Sequence, residues 1–395
     1  MKVKTRKIVS SAISLILAGG IAAGAYFGYL KFGNQQKIDH NKNDNKLNSN
    51  ANSGSGSTLS NNNTEPTLNK KSLHVMNWNV LNFGGGDNDV LNAPKINRIS
   101  DVILHEKPDL IGFTEINYNN QSVRTLDNLK KLLNSSEKNE SGTTWDYVIS
   151  ENDENPRFPN SKEHYAMFYK SNVLSVVKKE SITKNNLYAR PPFSVKFKTG
   201  NDYQFYYVIA HFDAPGVNAK NGETATDSLY GTNGSQEVTE AKSVKEYIFD
   251  KYKPENIDII FGGDTNLTAK SQIIFDEFKK FGIENTYGDD FKYNNSVDAY
   301  KTSLSSKDGY ANPYDKFLFL DTPDKGTIVK PTKEKFKFDI IAQYKAGGIW
   351  ENLRVPDYNT WSKLKKAPRN QTPIELARKI SDHAPINIFI DINEQ

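Results

Sequence analysis

Beyond about residue 71, the spacing of apolar residues divides the chain into short elements. LHVMNWNV at 73–80 and DLIGF at 109–113 predict strands. A helix between them opens at Pro94 and sets Ile96, Ile99, Val102 and Ile103 on one face. Further strands are expected at 145–150, 165–170, 173–178, 193–198 and 203–210, the last of these being the run YQFYYVIA. A helix over about 237–250 carries Val238, Ala241, Val244, Ile248 and Phe249 at helical spacing. IDIIFGGD (257–264), KFLFL (316–320), KFKFDII (335–341) and INIFID (386–391) complete the strands. Strands in consecutive pairs, with helices between others, predict an α/β (α+β) domain of two packed sheets covered by helices.

Polar residues collect at the ends of these strands. Asn79 ends the first, Glu115 follows the second, and His211 ends YQFYYVIA. Asp264 and Asn266 end IDIIFGGD, Asp315 opens KFLFL, and Asp382 with His383 precedes INIFID. A single carboxylate at such a place is most simply a turn residue. The whole set, if the strand ends converge, lines a cup with acids, amides and two imidazoles. That inventory suits a hard cation with oxygen ligands, together with acid–base chemistry.

The N-terminal end has a different character. Ile8 to Leu30 is an uncharged stretch of 23 residues, preceded by Lys2, Lys4, Arg6 and Lys7. It is long enough to cross ~30 Å of hydrocarbon as a helix, and the preceding cations place the N-terminus in the cytoplasm. Residues 1–30 therefore read as a membrane anchor. The competing reading is a cleaved signal, with Ala23 and Ala25 as the small-residue cleavage site. The apolar run continues through Tyr26, Phe27 and Tyr29, which favours the anchor. Residues 31–70, rich in Asn, Ser, Lys and Gly, have little to bury and are expected to form a disordered tether. Residues 71–395 then form one catalytic domain.

Composition narrows the chemistry. Among 395 residues there is no cysteine, which excludes disulfides, thiolate metal sites and a cysteine nucleophile. The net charge of +4 is accounted for by the four cations before residue 8, leaving 47 basic and 47 acidic residues in 31–395. No general basic field draws the domain to nucleic acid, so any such affinity must come from a local patch or from metal. The basic, irregular run KLKKAPR at 363–369 is one candidate patch, and a solvated loop is an equal alternative.

Nine segments in order carry a resemblance: WNVLNFG (78–84), FTEI (113–116), KEHYAMFYK (162–170), RPPF (190–193), AHFDAP (210–215), SLY (228–230), GGDTN (262–266), YDKFLF (314–319) and SDHAP (381–385). Through them the chain resembles the endonuclease/exonuclease/phosphatase superfamily, in particular its deoxyribonuclease I branch and the membrane nucleases of mycoplasmas. The resemblance implies a four-layer sandwich of two mixed sheets flanked by helices. It implies metal ligands at Asn79, Glu115 and Asp382, with Mg²⁺ or Mn²⁺ as the catalytic ion and Ca²⁺ as a structural or synergistic one. Asp264 and Asn266 would contact the scissile phosphate and the attacking water, and Arg190 would hold phosphate. His211 would pair with Glu163, and His383 with Asp315.

What is implied is a surface nuclease acting on DNA, and on RNA as a second substrate, to supply nucleotides. Two rivals keep the same fold: a phosphodiesterase or phosphatase for lipid or inositol phosphates, and a binding protein on a decayed catalytic scaffold. Where deoxyribonuclease I inserts an arginine and a tyrosine into the minor groove, this chain has Asn117 and Ser161. Duplex reading is therefore in doubt even where the chemistry is intact.

Overall fold

The computed structural model describes Pro66 and residues 70–85, 93–151, 155, 157–183, 186–291, 293, 298–322 and 326–393. All of them fall in the compact unit Ser60–Gln395. The expected anchor at 8–30, and all of the tether but Pro66 and Lys70, lie outside the described residues. Among the described residues no helix is long and apolar enough to cross a membrane.

The strands are β1 (Ser72–Phe83), β2 (Leu110–Asn117), β3 (Trp145–Ile149), β4 (Glu163–Lys170), β5 (Leu174–Ser181) and β6 (Phe193–Thr199). They continue as β7 (Gln204–His211), β8 (Asp258–Asp264), β9 (Ile283–Asn285), β10 (Asp315–Leu320), β11 (Gly326–Val329) and β12 (Ile386–Ile392). The longer helices are α1 (Ala93–Glu106), α2 (Gln121–Ser135), α3 (Ser235–Val244), α4 (Arg354–Trp361) and α5 (Pro373–Ile380). Two six-stranded sheets form, in the orders β11-β12-β1-β2-β4-β3 and β5-β6-β7-β8-β10-β9. Each has a parallel pair at its centre, β1 with β2 and β7 with β8. Their other pairings are antiparallel, so both sheets are mixed.

Side-chain parity builds the layers. Leu73 and Val75 of β1 face inward and meet Phe205, Tyr207 and Ile209 of β7 and Ile386, Ile388 and Ile390 of β12 in the core between the sheets. Met76, Trp78 and Val80 face the other way, onto Ile99 and Val102 of α1 and Leu126, Leu129 and Leu133 of α2. On the second sheet, Tyr206, Val208 and Ala210 face outward with Phe261 onto Val238, Ala241 and Val244 of α3. The result is the expected four-layer sandwich, helices–sheet–sheet–helices. Central strands bury both faces, which is why β1, β7 and β8 read as nearly continuous apolar runs. Each large apolar side chain so enclosed contributes about 1.5–3 kcal/mol.

Parity also decides where the polar strand ends point. His211 shares the inward parity of Tyr207 and Ile209, Asp264 that of Ile260, and Asn79 that of Val75. Glu115 would break the rule, since Ile111 and Phe113 face the outer helices. A bulge rescues it. Between Phe113 and Ile116 the pairing to β4 shifts by one residue, and Glu115 takes φ of 61°. Ile116 then resumes the outward position, and the Glu115 carboxylate joins the inward set. A non-glycine residue in this conformation costs about 1–3 kcal/mol, strain of the kind found where a side chain must be aimed. At Gly263, φ is 147° and a Cβ would lie 1.9 Å from the Ala210 carbonyl oxygen, so only glycine lets β8 lie this close to β7.

One expected strand is absent. KFKFDII has the right alternation, and Phe336 and Ile340 are buried, but only Lys337 bridges β12, at Ile386. Asp339 ends the extended run, because its Oδ1 accepts from the N–H groups of Ile341 and Ala342 and turns the chain. The sequence reading also passes over α2, α4, α5, β9 and β11. In α2 the buried face includes Ser122 and Thr125, which blur its apolar stripe.

Candidate active site

The two central parallel pairs end side by side, and their C-terminal ends form the floor of the site. β1 delivers Asn79, β2 Glu115, β7 His211 and β8 Asp264. Antiparallel neighbours bring their starts to the same end: Glu163 opens β4, and Asp315 opens β10 directly opposite Asp264. His383 arrives just before β12 and is bridged to Ser303.

Asp264 lies at the centre. Its Oδ2 is 3.6 Å from Nε2 of His211, 3.5 Å from Nε2 of His383, and accepts from Nδ2 of Asn79 at 3.1 Å. Burial alone would raise its pKa, but the two imidazoles outweigh burial and hold it below the usual aspartate value. Each imidazole is backed on its far side by a second carboxylate. Nδ1 of His211 lies 2.9 and 3.1 Å from the two oxygens of Glu163, and Nδ1 of His383 lies 2.6 Å from Asp315. Burial and Arg190 press the His211 pKa down, yet Glu163 and Asp264 prevail and the net displacement is upward. For His383, burial is overcome by Asp315 and Asp264, and its pKa stands well above the ordinary imidazole value. The two couples expected from the sequence are thus formed, and both converge on one carboxylate.

Glu115 sits beside this centre. Its Oε1 accepts from Asn79 Nδ2 at 3.0 Å and its Oε2 from the Asn82 N–H at 3.0 Å. Burial, and then the charges of Asp382 and Glu163 acting against His211, raise its pKa. Asp382 has a buried Oδ1 with no hydrogen-bond partner. Two nearby carboxylates, one with an orphaned oxygen, are a donor set that fits a divalent cation with hard-oxygen preference. Asn79 stands between the acids, and its carbonyl oxygen has a lone pair to spare. Its Oδ1 accepts from Leu81 N at 2.9 Å while its Nδ2 spans Glu115 and Asp264, so it ties the two acids together. Ligand atoms of Asp264, Asp315 and His383 also lie within 4.8 Å of one another, close enough for a cation. There, however, the His383–Asp315 hydrogen bond already uses Nδ1.

Arg190 and Asn266 belong to the same frame. Arg190 Nε lies 3.1 Å from Glu163, and its Nη1 donates to Phe212 O at 2.8 Å. Asn266, with φ of 52°, has its N–H on Asp264 Oδ1 at 2.9 Å and its Nδ2 on Phe212 O at 3.1 Å. Asn117 Nδ2 donates to Asn82 O at 3.0 Å. In the basic segment, Lys363, Lys365 and Lys366 are exposed, whereas Arg369 is held by Glu375 at 2.6 Å.

Several supporting residues escape the sequence reading. Lys95 is buried in the first turn of α1, donates to Leu81 O at 2.5 Å, and interacts electrostatically with Glu115 and Asp382. Burial lowers its pKa to about 7. Its signal was legible, because it falls four residues before Ile99 on the apolar face. Lys316, buried inside the apolar strand β10, bonds Thr265 Oγ1 and Tyr314 O, and burial lowers its pKa to about 7 as well. Asn233 donates to the Asn266 carbonyl at 2.9 Å, and its Oδ1 accepts from Thr268 N and Ser271 Oγ. Tyr165 accepts the His211 N–H at 3.1 Å.

A model of the endonuclease/exonuclease/phosphatase family matches residues 76–299, more than half of the chain. An uncharacterized protein of Mycoplasma pneumoniae is 31% identical over 211 residues. That alignment takes in 51% of this chain and 37% of the relative, so the chain spans little more than a third of the relative's length. Similar solved structures include an endonuclease/exonuclease/phosphatase family protein from Bacteroides thetaiotaomicron, 16% identical, covering 82% of this chain and 99% of that one, with TM-score 0.48. A mannosyl-6-phosphatase of the same organism is 14% identical, with 82% and 100% covered and TM-score 0.44. D. rerio TDP2 complexed with single strand DNA product is 12% identical, with 81% and 99% covered and TM-score 0.45.

Proposed function

The chain belongs to the endonuclease/exonuclease/phosphatase family, whose members hydrolyse phosphoester bonds, and on that premise we propose a metal-dependent nuclease acting on DNA, with RNA as a second substrate. The observation that carries the reading is the pair of His–carboxylate couples converging on Asp264. Hydrolysis of a phosphodiester removes a proton from water on one side of phosphorus and returns one to the leaving oxygen on the other. Two imidazoles, each with its Nδ1 fixed by a carboxylate, present their Nε2 atoms to the same space and suit that exchange. Asp264 between them orients the water. Arg190 and Asn266 would donate to the nonbridging oxygens. Glu115, Asp382 and the Asn79 carbonyl oxygen would hold the cation, Mg²⁺ with Mn²⁺ as substitute, while the Asn79 amide N–H keeps Glu115 and Asp264 in register. When bound, the cation supplies Lewis-acid stabilisation of the charge that builds on the phosphoryl oxygens.

One observation favours a second reading. Val217 and Leu229, each 50% exposed, stand on the loop that follows His211, and such an apolar pair would suit a lipid phosphodiester. A substrate series separates the two: matched single- and double-stranded DNA oligonucleotides, RNA and sphingomyelin, each with Mg²⁺. DNA is expected to be cut best. Single strands should be cut at a rate comparable with duplex, since Asn117 and Ser161 offer no groove-inserting side chain and phosphate recognition does not depend on pairing. Changing Lys363, Lys365 and Lys366 to Ala should raise KM on DNA. Cleavage of sphingomyelin with DNA left intact would sink the nuclease reading, and a strong duplex preference untouched by the Ala changes would sink the recognition argument.

The proposal extends to location. The uncharged run 8–30 behind four cations would hold the protein in the cell membrane with its catalytic domain outside. It should stay with membranes through a high-salt wash and be shaved from intact cells by protease within 31–70. A mature form beginning near Tyr26 and free in the medium would replace the anchor with a cleaved signal.

A further inference from the structure

A small polar pocket opens beside the His211–Glu163 couple. Ser150, Glu151, Ser161, Tyr165, Ser181 and Arg190 line it, together with Glu163 itself. Its volume is about 10 Å³, room for one water-sized oxygen and little more. A base or a phosphate is too large to enter.

The hydrogen-bonding capacity of the lining is only partly used. Tyr165 and Ser150 are 2% and 6% exposed. Tyr165 Oη accepts from the His211 N–H at 3.1 Å, and Ser150 Oγ accepts from the Tyr165 N–H at 2.9 Å. Neither hydroxyl proton has an acceptor among the described residues, and the Ser161 and Ser181 hydroxyls make no hydrogen bond there. Buried hydroxyls in this state are completed by water or by a ligand. Glu151, an exposed residue of the lining, adds a carboxylate acceptor. The pocket thus offers donors and acceptors to one small group that can both give and take a hydrogen bond, which is the chemistry of a hydroxyl.

Position says whose hydroxyl it is. Arg190 is shared by the pocket and the catalytic frame: its Nε lies 3.1 Å from Glu163 and its Nη1 donates to Phe212 O at 2.8 Å, which leaves Nη2 to reach a phosphate. The sugar that adjoins a phosphate held there is one ester bond away. Resting on the nuclease reading, we infer that this pocket receives the ribose 2′-hydroxyl of the nucleotide beside the scissile phosphate. That hydroxyl, donor and acceptor at once, is the group by which a protein tells RNA from DNA at a given position. A site without space for it would bury it unpaired and would reject RNA on that account. Here Tyr165, Ser150 and Glu151 satisfy it, and with DNA a water molecule takes its place. The pocket lifts a penalty on RNA and leaves DNA binding as it is, so one centre serves both. The hydroxyl is held and takes no part in the displacement.

The test uses the full-length protein in Mg²⁺ with matched single strands of DNA, RNA and 2′-O-methyl RNA. Wild type should cut DNA and RNA, and should cut 2′-O-methyl RNA slower than RNA by roughly 10-fold or more, because the added methyl exceeds the space. Ser181→Val puts an apolar group in the pocket, and the ratio of kcat/KM on RNA to that on DNA should fall roughly 10–100-fold. Damage from a merely structural role would strike both substrates and leave that ratio where it was. DNA cut with RNA refused by wild type overturns the inference. So does 2′-O-methyl RNA cut as fast as RNA, or a ratio unmoved by the valine. Should Ser181→Val fail to fold, Ser161→Val is measured in its place with the same outcomes. If no strand is cut, the nuclease reading fails by itself, and fluorescence anisotropy of the same strands with wild type decides the pocket. RNA bound more tightly than 2′-O-methyl RNA supports it, and equal binding overturns it.

Discussion

Glu115→Gln is expected to leave a folded protein whose rate of DNA hydrolysis is lower by about 10³-fold. The glutamine keeps the size of the side chain and the bulged backbone that aims it, so the layers around it are undisturbed. It loses the charge that, with Asp382, makes this end of the sheets fit for a divalent cation. Charge stabilisation by such an ion is worth several kcal/mol in the transition state, and each 1.36 kcal/mol is a factor of ten. The glutamine amide would also face the Asn79 or Asn82 donor that now bonds the carboxylate, a mismatch of roughly 1–3 kcal/mol that Tm should register. EDTA should do to the wild type what the substitution does, and added Mg²⁺ should reverse only the chelator. Initial rates and unfolding curves for the two proteins check this. Full wild-type activity in EDTA would remove the cation from the account.

His211→Ala and His383→Ala should each cost roughly 10²–10⁴-fold in kcat, the range for a lost general acid or base. Because the two imidazoles serve opposite ends of one displacement, the double variant should lose far less than the product of the single losses. The pH profile carries the finer test. Both couples raise the histidine pKa above 6.5. The histidine that accepts a proton is competent only above its raised pKa, so the acid limb should lie above 6.5. The one that donates keeps its proton to higher pH, which sets the alkaline limb. Asp315→Asn removes the charge that holds His383 up, so the limb governed by His383 should move to lower pH while the other stays. The limb that moves tells whether His383 is the base or the acid. If neither limb moves and the rate stays near wild type, His383 has only a structural role.

The central strands were legible because the physics that buries them is local in sequence. Two buried faces require an unbroken apolar run, as in β1, β7 and β8, and the polar residues that end such runs stand out. That is how Asn79, His211 and Asp264 could be picked from the sequence and then be found on the inward face. Glu115 was legible as a residue, but the bulge that aims it was not, since nothing in FTEIN declares a positive φ at glutamate. KFKFDII misled because alternation reports which side chains are buried, and a single bridge at Lys337 with Asp339 turning the chain satisfies it without a strand. Short strands such as β9 and β11 hold too few residues to show a period. The lysines were missed for another reason. Lys95 and Lys316 lie at positions that the apolar pattern assigns to the interior, and what keeps each there is a carbonyl or hydroxyl partner distant in sequence or on an adjoining turn.

The claim that these residues form one metal-dependent nuclease centre is tested most directly by incubating linear DNA with the full-length protein. Wild type and Glu115→Gln would each be assayed in Mg²⁺ and in EDTA, with fragment release followed over time. The account predicts fragments from wild type in Mg²⁺ and little or none in the other three reactions. Intact DNA in all four, or fragments formed as fast in EDTA as in Mg²⁺, would contradict it.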